Sequence, residues 1–288
     1  MRVALGKYLI TAGRMRQMIE RLNGNVRGYI EGLNLPARRW GASWTQWLPS
    51  NMNDVARRLG PIAQEDESGF GTITGARGCQ VSVNGCRPYW FNAGGIIAAN
   101  ETGKYPHDIL DQKVLNCVMP AVAAAFCIWD GGELADPDDL DFAWNNGPVN
   151  ANGTVVNTRK WPWGETPDPP TSRGGADAAC VASNCNRFLV HQWNYNYPSY
   201  VAGDSSSIIP APGRRPAGAG PFGHLDLAGS GYQYAKRTPL TNTNSTLHNV
   251  SSGSFEGHAP TAYLSIGGTE INRRYWGYTA GRCSYPVP

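Results

Sequence analysis

Cysteine and histidine are the side chains of this chain best able to hold a metal or act as nucleophiles, and their spacing limits what they can do. The seven cysteines are Cys79, Cys86, Cys117, Cys127, Cys180, Cys185 and Cys283. No Cys-x-x-Cys occurs, and the ligand spacing of a structural zinc site is absent. Two pairs are local, Cys79 with Cys86 and Cys180 with Cys185, each in loop-like sequence. Short cysteine loops of this kind are more often disulfide staples than metal sites, and staples need an oxidising compartment. The histidines are His107, His191, His224, His248 and His258, and no two lie three to five residues apart as ligands on one helix would. His248 and His258 flank one loop with Glu256, which makes these three the weak candidate metal group. The plainer reading is a set of surface histidines.

Other catalytic patterns fail on context. Gly229-Ser230-Gly231 lacks the spacing of a nucleophile elbow. Gly103-Lys104-Tyr105 is a turn rather than a phosphate loop. The run GAGPFG at 218–223 matches G-x-G-x-x-G only in letters, since it lies in Pro-rich sequence with no βαβ unit around it. Asp136, Asp138, Asp139 and Asp141 sit together at a predicted helix start, where capping and the helix dipole explain them. No pair of carboxylates stands out as a glycosidase pair.

The chain that must position these groups has 288 residues, enough for a sizeable core. Only 16% of residues are charged, against 35 Gly, 21 Pro, 10 Trp and 13 Tyr. That profile fits a loop-rich, aromatic-packed protein and excludes a helical bundle or a disordered chain. A net charge of +3 is too small to imply nucleic acid. No stretch of eighteen apolar residues occurs, so no membrane span is expected. The opening MRVALGKYLITAGRM has no signal-peptide core. The cysteine pattern therefore favours a secreted chain, extracellular or periplasmic, whose leader has been removed. Sequons at Asn100, Asn152, Asn244 and Asn249 suit an exposed surface.

Residues 8–10 read as a short strand. Thr11 reads as the N-cap of a helix with Met15, Met18, Ile19 and Leu22 on one face. Asn23-Gly24 interrupts it, and a second helical stretch carries Val26, Tyr29, Ile30 and Leu33. Residues 35–110 read as irregular, with Trp40, Trp44, Trp47, Trp90 and Phe91 packing over the core or lining a groove. Residues 121–129, with Pro120 before them, read as a buried helix ended by Gly131. Asp136-Pro137 starts a further helix with Leu140 and Phe142 as its apolar positions. Beyond Asn146 turns and short strands dominate, and 210–223 reads as a long surface loop.

Residues 115–146, LNCVMPAVAAAFCIWDGGELADPDDLDFAWNN, resemble the signature block of the formylglycine-generating (sulfatase-modifying factor) family. Further blocks follow in that family's order. KYLITAG at 7–13 resembles its opening strand and RKWPWG at 159–164 its R-x-Y-P-W-G. GPFGHLDLAG at 220–229 resembles its G-x-x-G-x-x-D-L-x-G. Gly253-Ser254-Phe255 resembles its G-S-F/W, and Gly281-Arg282-Cys283 its closing G-F-R-C. Each block is weak alone; the ordered set spans nearly the whole chain.

The resemblance implies one domain over 1–288. Its fold is α+β and C-type-lectin-like, with a small twisted antiparallel sheet, two main helices and loop insertions near 35–110 and 200–222. It implies a disulfide from the helix cysteine to the closing strand, Cys127 with Cys283. With the two local staples this leaves Cys117 unpaired, most simply as a buried, inert thiol.

Catalytic members of the family hold copper through two cysteines before the closing block, because soft thiolates select Cu(I). Here residues 253–282 contain no cysteine, so copper is not expected. Where the family has N-V-W-E-W, this chain has Ser230-Gly231-Tyr232-Gln233-Tyr234. The lost acid argues against calcium at that place, while calcium elsewhere is left open. The expectation is a secreted, non-catalytic binding or assembly protein. Its recognition face is Arg273, Arg274, Tyr275, Trp276 and Tyr278, and its partner a protein, a glycan or another copy of the chain. One competing expectation is an oxygen-dependent metal oxidoreductase built on His248, Glu256 and His258 or on Cys117. Another is a structural surface or filament subunit.

Overall fold

The computed structural model describes residues 3–37, 39–59, 90–92, 95–97, 111, 114–115, 119–145, 162–164, 212–213, 218–227, 232–236, 247–251, 264–269 and 279–287. They form a mixed α+β architecture of helices packed on short strands.

Helix α1 (Ala12–Arg21) begins where the sequence places it, with the Thr11 side chain accepting a hydrogen bond from Arg14 N at 3.3 Å. Met15, Met18 and Ile19 recur on one face and are fully buried. The helix stops at Asn23 and Gly24, both with positive φ. A Cβ on Gly24 would lie 2.7 Å from the backbone of Asn51 and Met52, so only glycine fits there. Asn25 then caps α2 (Val26–Gly32) through Gly28 N at 2.9 Å. Val26 and Ile30 are buried, but Leu33 is 41% exposed because the helix ends at Gly32.

The first strand differs from the sequence reading. Strand β1 is Val3–Leu5. Residues 8–10 make single ties instead: Ile10 N donates to Gly281 O at 2.9 Å, and Leu115 N donates to Ile10 O at 2.8 Å. Residues 35–110 also hold more regular structure than composition suggested. They include a 3₁₀ turn (Ala42–Trp47), helix α3 (Met52–Leu59) and a hairpin of β2 (Trp90–Asn92) and β3 (Gly95–Ile97). Trp40 and Trp44 belong to the core, edge to face with ring centroids 5.2 Å apart, and Trp40 Nε1 donates to Thr45 Oγ1 at 2.9 Å.

Helix α4 (Pro120–Trp129) carries Pro at its first position and is buried from Pro120 to Ile128, as an Ala-rich helix apolar on all sides must be. It ends at Gly131, where φ is +89°. After β4 (Glu133–Leu134), Asp136 caps α5 (Pro137–Asn145), its Oδ1 accepting from Asp138 N at 2.9 Å. Leu140 is buried, whereas Phe142 is 41% exposed and stacks on Phe222, 48% exposed, at 4.7 Å between centroids.

The remaining strands are β5 (Tyr232–Lys236), β6 (Leu247–Ser251), β7 (Leu264–Thr269), β8 (Thr279–Gly281) and β9 (Cys283–Pro286). One sheet has the order β1-β9-β4, all antiparallel. The other has the order β7-β6-β5-β8, antiparallel except that β8 lies parallel to β5. Between β8 and β9 a single residue, Arg282, carries the chain from one sheet to the other. The main core lies where α1, α2 and α4 meet the ends of these strands. Among the described residues, no helix is long and apolar enough to cross a membrane.

Candidate functional site

The best-defined polar constellation is centred on that sheet junction. Cys283, the first residue of β9, is joined to Cys127 on α4, with a sequence separation of 156 residues. This is the pair that the family resemblance implied. Closing a loop of that length is worth about 5 kcal/mol on the chain-entropy model. Beside it, the Arg282 side chain is wholly buried. Its Nη1 donates to the carbonyls of Gly6 and Lys7, both at 2.8 Å, its Nη2 to Leu225 O at 2.5 Å and its Nε to Gln233 Oε1 at 3.1 Å. One cation thus ties the segment after β1, the 224–227 loop and β5 to the crossing between sheets.

All four of those acceptors are neutral. The nearby anion is Asp226, itself buried, with left-handed φ of 59° and its Oδ2 accepting from Gly213 N at 2.8 Å. Burial pushes the Asp226 carboxyl up to about 6, against the opposing pull of Arg282 and the Gly213 hydrogen bond. Burial brings Arg282 down to about 10, with Asp226 resisting. Two residues back, His224 Nε2 lies 3.2 Å from Leu5 O, and its pKa is lowered by burial and by Arg282.

Gln233 uses both ends of its amide. While Oε1 accepts from Arg282, Nε2 donates to the carbonyls of Asp226 and Leu227 at 3.2 and 3.4 Å. A carboxylate, which only accepts, could make the first contact but not the other two.

A second buried cation closes the far side. Lys236 Nζ donates to Glu133 Oε2 at 2.8 Å and to Arg39 O at 3.0 Å. Arg39 Nε lies 2.6 Å from Glu133 Oε1, close enough for an ion pair but not aligned as a hydrogen bond. Lys236 N also donates to Ala135 O at 2.9 Å, which links the two sheets at their β4 and β5 ends. Neither this triad nor the Arg282 hub follows from motif reading. The available signals were charged residues set in apolar strand sequence: Lys236 after YQYA, and Arg282 between Gly and Cys.

The other residues singled out by sequence are placed as follows. Within β6, His248 pairs with Ala235 of β5. Glu256, His258, Arg273, Arg274, Tyr275, Trp276 and Tyr278 lie outside the described residues, as do Cys79, Cys86, Cys117, Cys180 and Cys185. Among the described residues, no three His, Cys, Asp or Glu side chains converge as a metal site. In the acidic turn of α5, the Asp139 carboxyl is raised to about 6 by burial and by Asp136 and Asp138.

No protein-family model matches the sequence, and no curated protein matches it significantly.

Proposed function

We propose that this chain is a secreted, non-catalytic binding or assembly protein on a single formylglycine-generating-type, C-type-lectin-like domain. The observation that carries the reading is the bond between Cys127 and Cys283. It commits the only cysteine beyond Cys185 to the fold, so the thiolate pair that catalytic members use has no counterpart here. The in-order motif blocks and the α+β arrangement around that bond support the scaffold.

The recognition face in this reading is Arg273, Arg274, Tyr275, Trp276 and Tyr278. The strands on either side, β7 and β8, are the two edges of the four-stranded sheet, and residues 270–278 are the sequence that joins them. That sequence is rich in Arg, Tyr and Trp, and Tyr and Trp side chains supply large contact area at low conformational-entropy cost.

The test is elemental analysis of the purified native protein for copper, iron and calcium, with a thiol count on the denatured, unreduced sample. The expected result is no stoichiometric copper or iron and one thiol, that of Cys117. Stoichiometric copper or iron, or several free thiols, would return the enzyme reading. A glycan array probed with wild type and Trp276→Ala then tests the face; binding that survives the substitution unchanged removes Trp276 from it.

A further inference from the structure

The segment at residues 3–8 is held by backbone hydrogen bonds and by the half-buried Leu5 side chain. Ala4, Lys7 and Tyr8 are exposed, Leu5 and Gly6 are half-buried, and full burial begins only at Leu9 and Ile10. Its attachments are the pairing of β1 with β9 and the bond from Gly6 N to Cys283 O at 2.7 Å. Its own carbonyls take the rest: those of Gly6 and Lys7 from Arg282, that of Lys7 also from Leu225 N at 3.1 Å, and that of Leu5 against His224 Nε2.

We propose that residues 3–8 are a strap, latched by Arg282 and His224, that opens and closes over the sheet junction as one unit while the core beyond Leu9 stays folded.

Two features make opening separable from unfolding. Of its side chains Leu5 packs half-buried, against the small clusters of Ala143, Trp144 and Leu227 and of Ala135, Leu140 and Ala235, while Ala4, Lys7 and Tyr8 are exposed. Elements with few fully buried contacts open at the low end of a protein's stability range. Its removal leaves β9 anchored by Cys127, by the β4 pairing and by the bond from Ala135 N to Arg282 O at 2.9 Å. The latch is also balanced. Closing gives Arg282 two carbonyl acceptors but strips water from a cation, and those effects oppose each other. Opening reverses both at once.

Hydrogen exchange on the native full chain, read by mass spectrometry, tests the proposal. The amides of residues 3–8 are expected to exchange together and at least about 10-fold faster than those of α4. Arg282→Lys keeps the charge but cannot span the same acceptors. It should speed strap exchange by a further ~10-fold without moving α4. His224→Ala, which removes only the Leu5 contact, should do the same to a smaller degree. Equal exchange of strap and α4 in the wild type would overturn the proposal. So would substitutions that speed both equally. If Arg282→Lys does not fold, the wild-type comparison and His224→Ala decide.

Discussion

Gln233 Oε1 accepts a hydrogen bond from Arg282 Nε at 3.1 Å, and both side chains are buried. The amide satisfies the guanidinium on one side and two loop carbonyls on the other, so it joins β5 to the 226–227 loop as well as to the sheet crossing. Buried polar groups persist only when partnered in this way.

The donor half of that amide is the part a carboxylate cannot replace. Gln233→Glu would gain a charged contact with Arg282 but set an acceptor against the carbonyls of Asp226 and Leu227. A loss of about 1–3 kcal/mol in urea unfolding is expected at neutral pH. A variant as stable as wild type would show that the amide donor contributes nothing.

The disulfide between Cys127 and Cys283 lies entirely within the core. Because neither sulfur is open to attack, a reductant should act only on unfolded chains, and native protein should keep the bond in dithiothreitol until it is heated or denatured. Replacing both cysteines by Ala should cost about 2–5 kcal/mol. Rapid reduction of the native protein, followed by mass spectrometry, would show that the α4 end opens more readily than its burial implies.

How much of this was legible in the sequence depends on the range of the interaction. Local signals worked where local physics decides: Thr11 as a cap, Met15, Met18 and Ile19 as a buried face, Pro120 and Gly131 as the limits of α4. They failed where a partner far along the chain decides. Strand β1 forms at Val3–Leu5 because β9, nearly the whole chain away, pairs with it there. Phe142 looked like a core position on α5, yet it faces out against Phe222 from a distant turn. The hub around Arg282 draws acceptors from positions 6, 7, 225 and 233, and no single window of sequence contains them.

Gly132 meets the β9 strand at its closest point. A Cβ there would lie 2.3 Å from Ser284 O and 2.9 Å from Tyr285 Cδ1. The neighbour is backbone already paired in the sheet, so it cannot give way without breaking the β4–β9 register. Gly132→Ala should therefore destabilise by about 1–3 kcal/mol, the usual range for an overpacked core. Thermal unfolding of the variant beside Gly131→Ala checks this, because a Cβ at Gly131 meets no atom and its cost is the positive φ alone. A Gly132 variant milder than the Gly131 one would refute the steric account.

Asp226 supplies a pH dependence whose direction is fixed by its raised pKa. The folded state holds the proton up to about 6, while the unfolded chain releases it near the ordinary value of 3.8. Between those values the folded state binds more proton, so the stability that Asp226 contributes is fully present below about 4 and is lost as pH rises through about 6. Nearby His224 acts the other way: its lowered pKa gives stability that is present above its ordinary 6.5 and is lost as pH falls. The two are separated by comparing wild type with Asp226→Asn, which cannot titrate but retains the same shape. The variant should gain on the wild type between about pH 4 and pH 6, with the difference levelling off at either side. Urea unfolding across that range gives the difference directly. A constant gap at every pH would mean that the Asp226 carboxyl does not hold its proton in the folded protein, and that the ion it forms with Arg282 nearby is no burden to the fold.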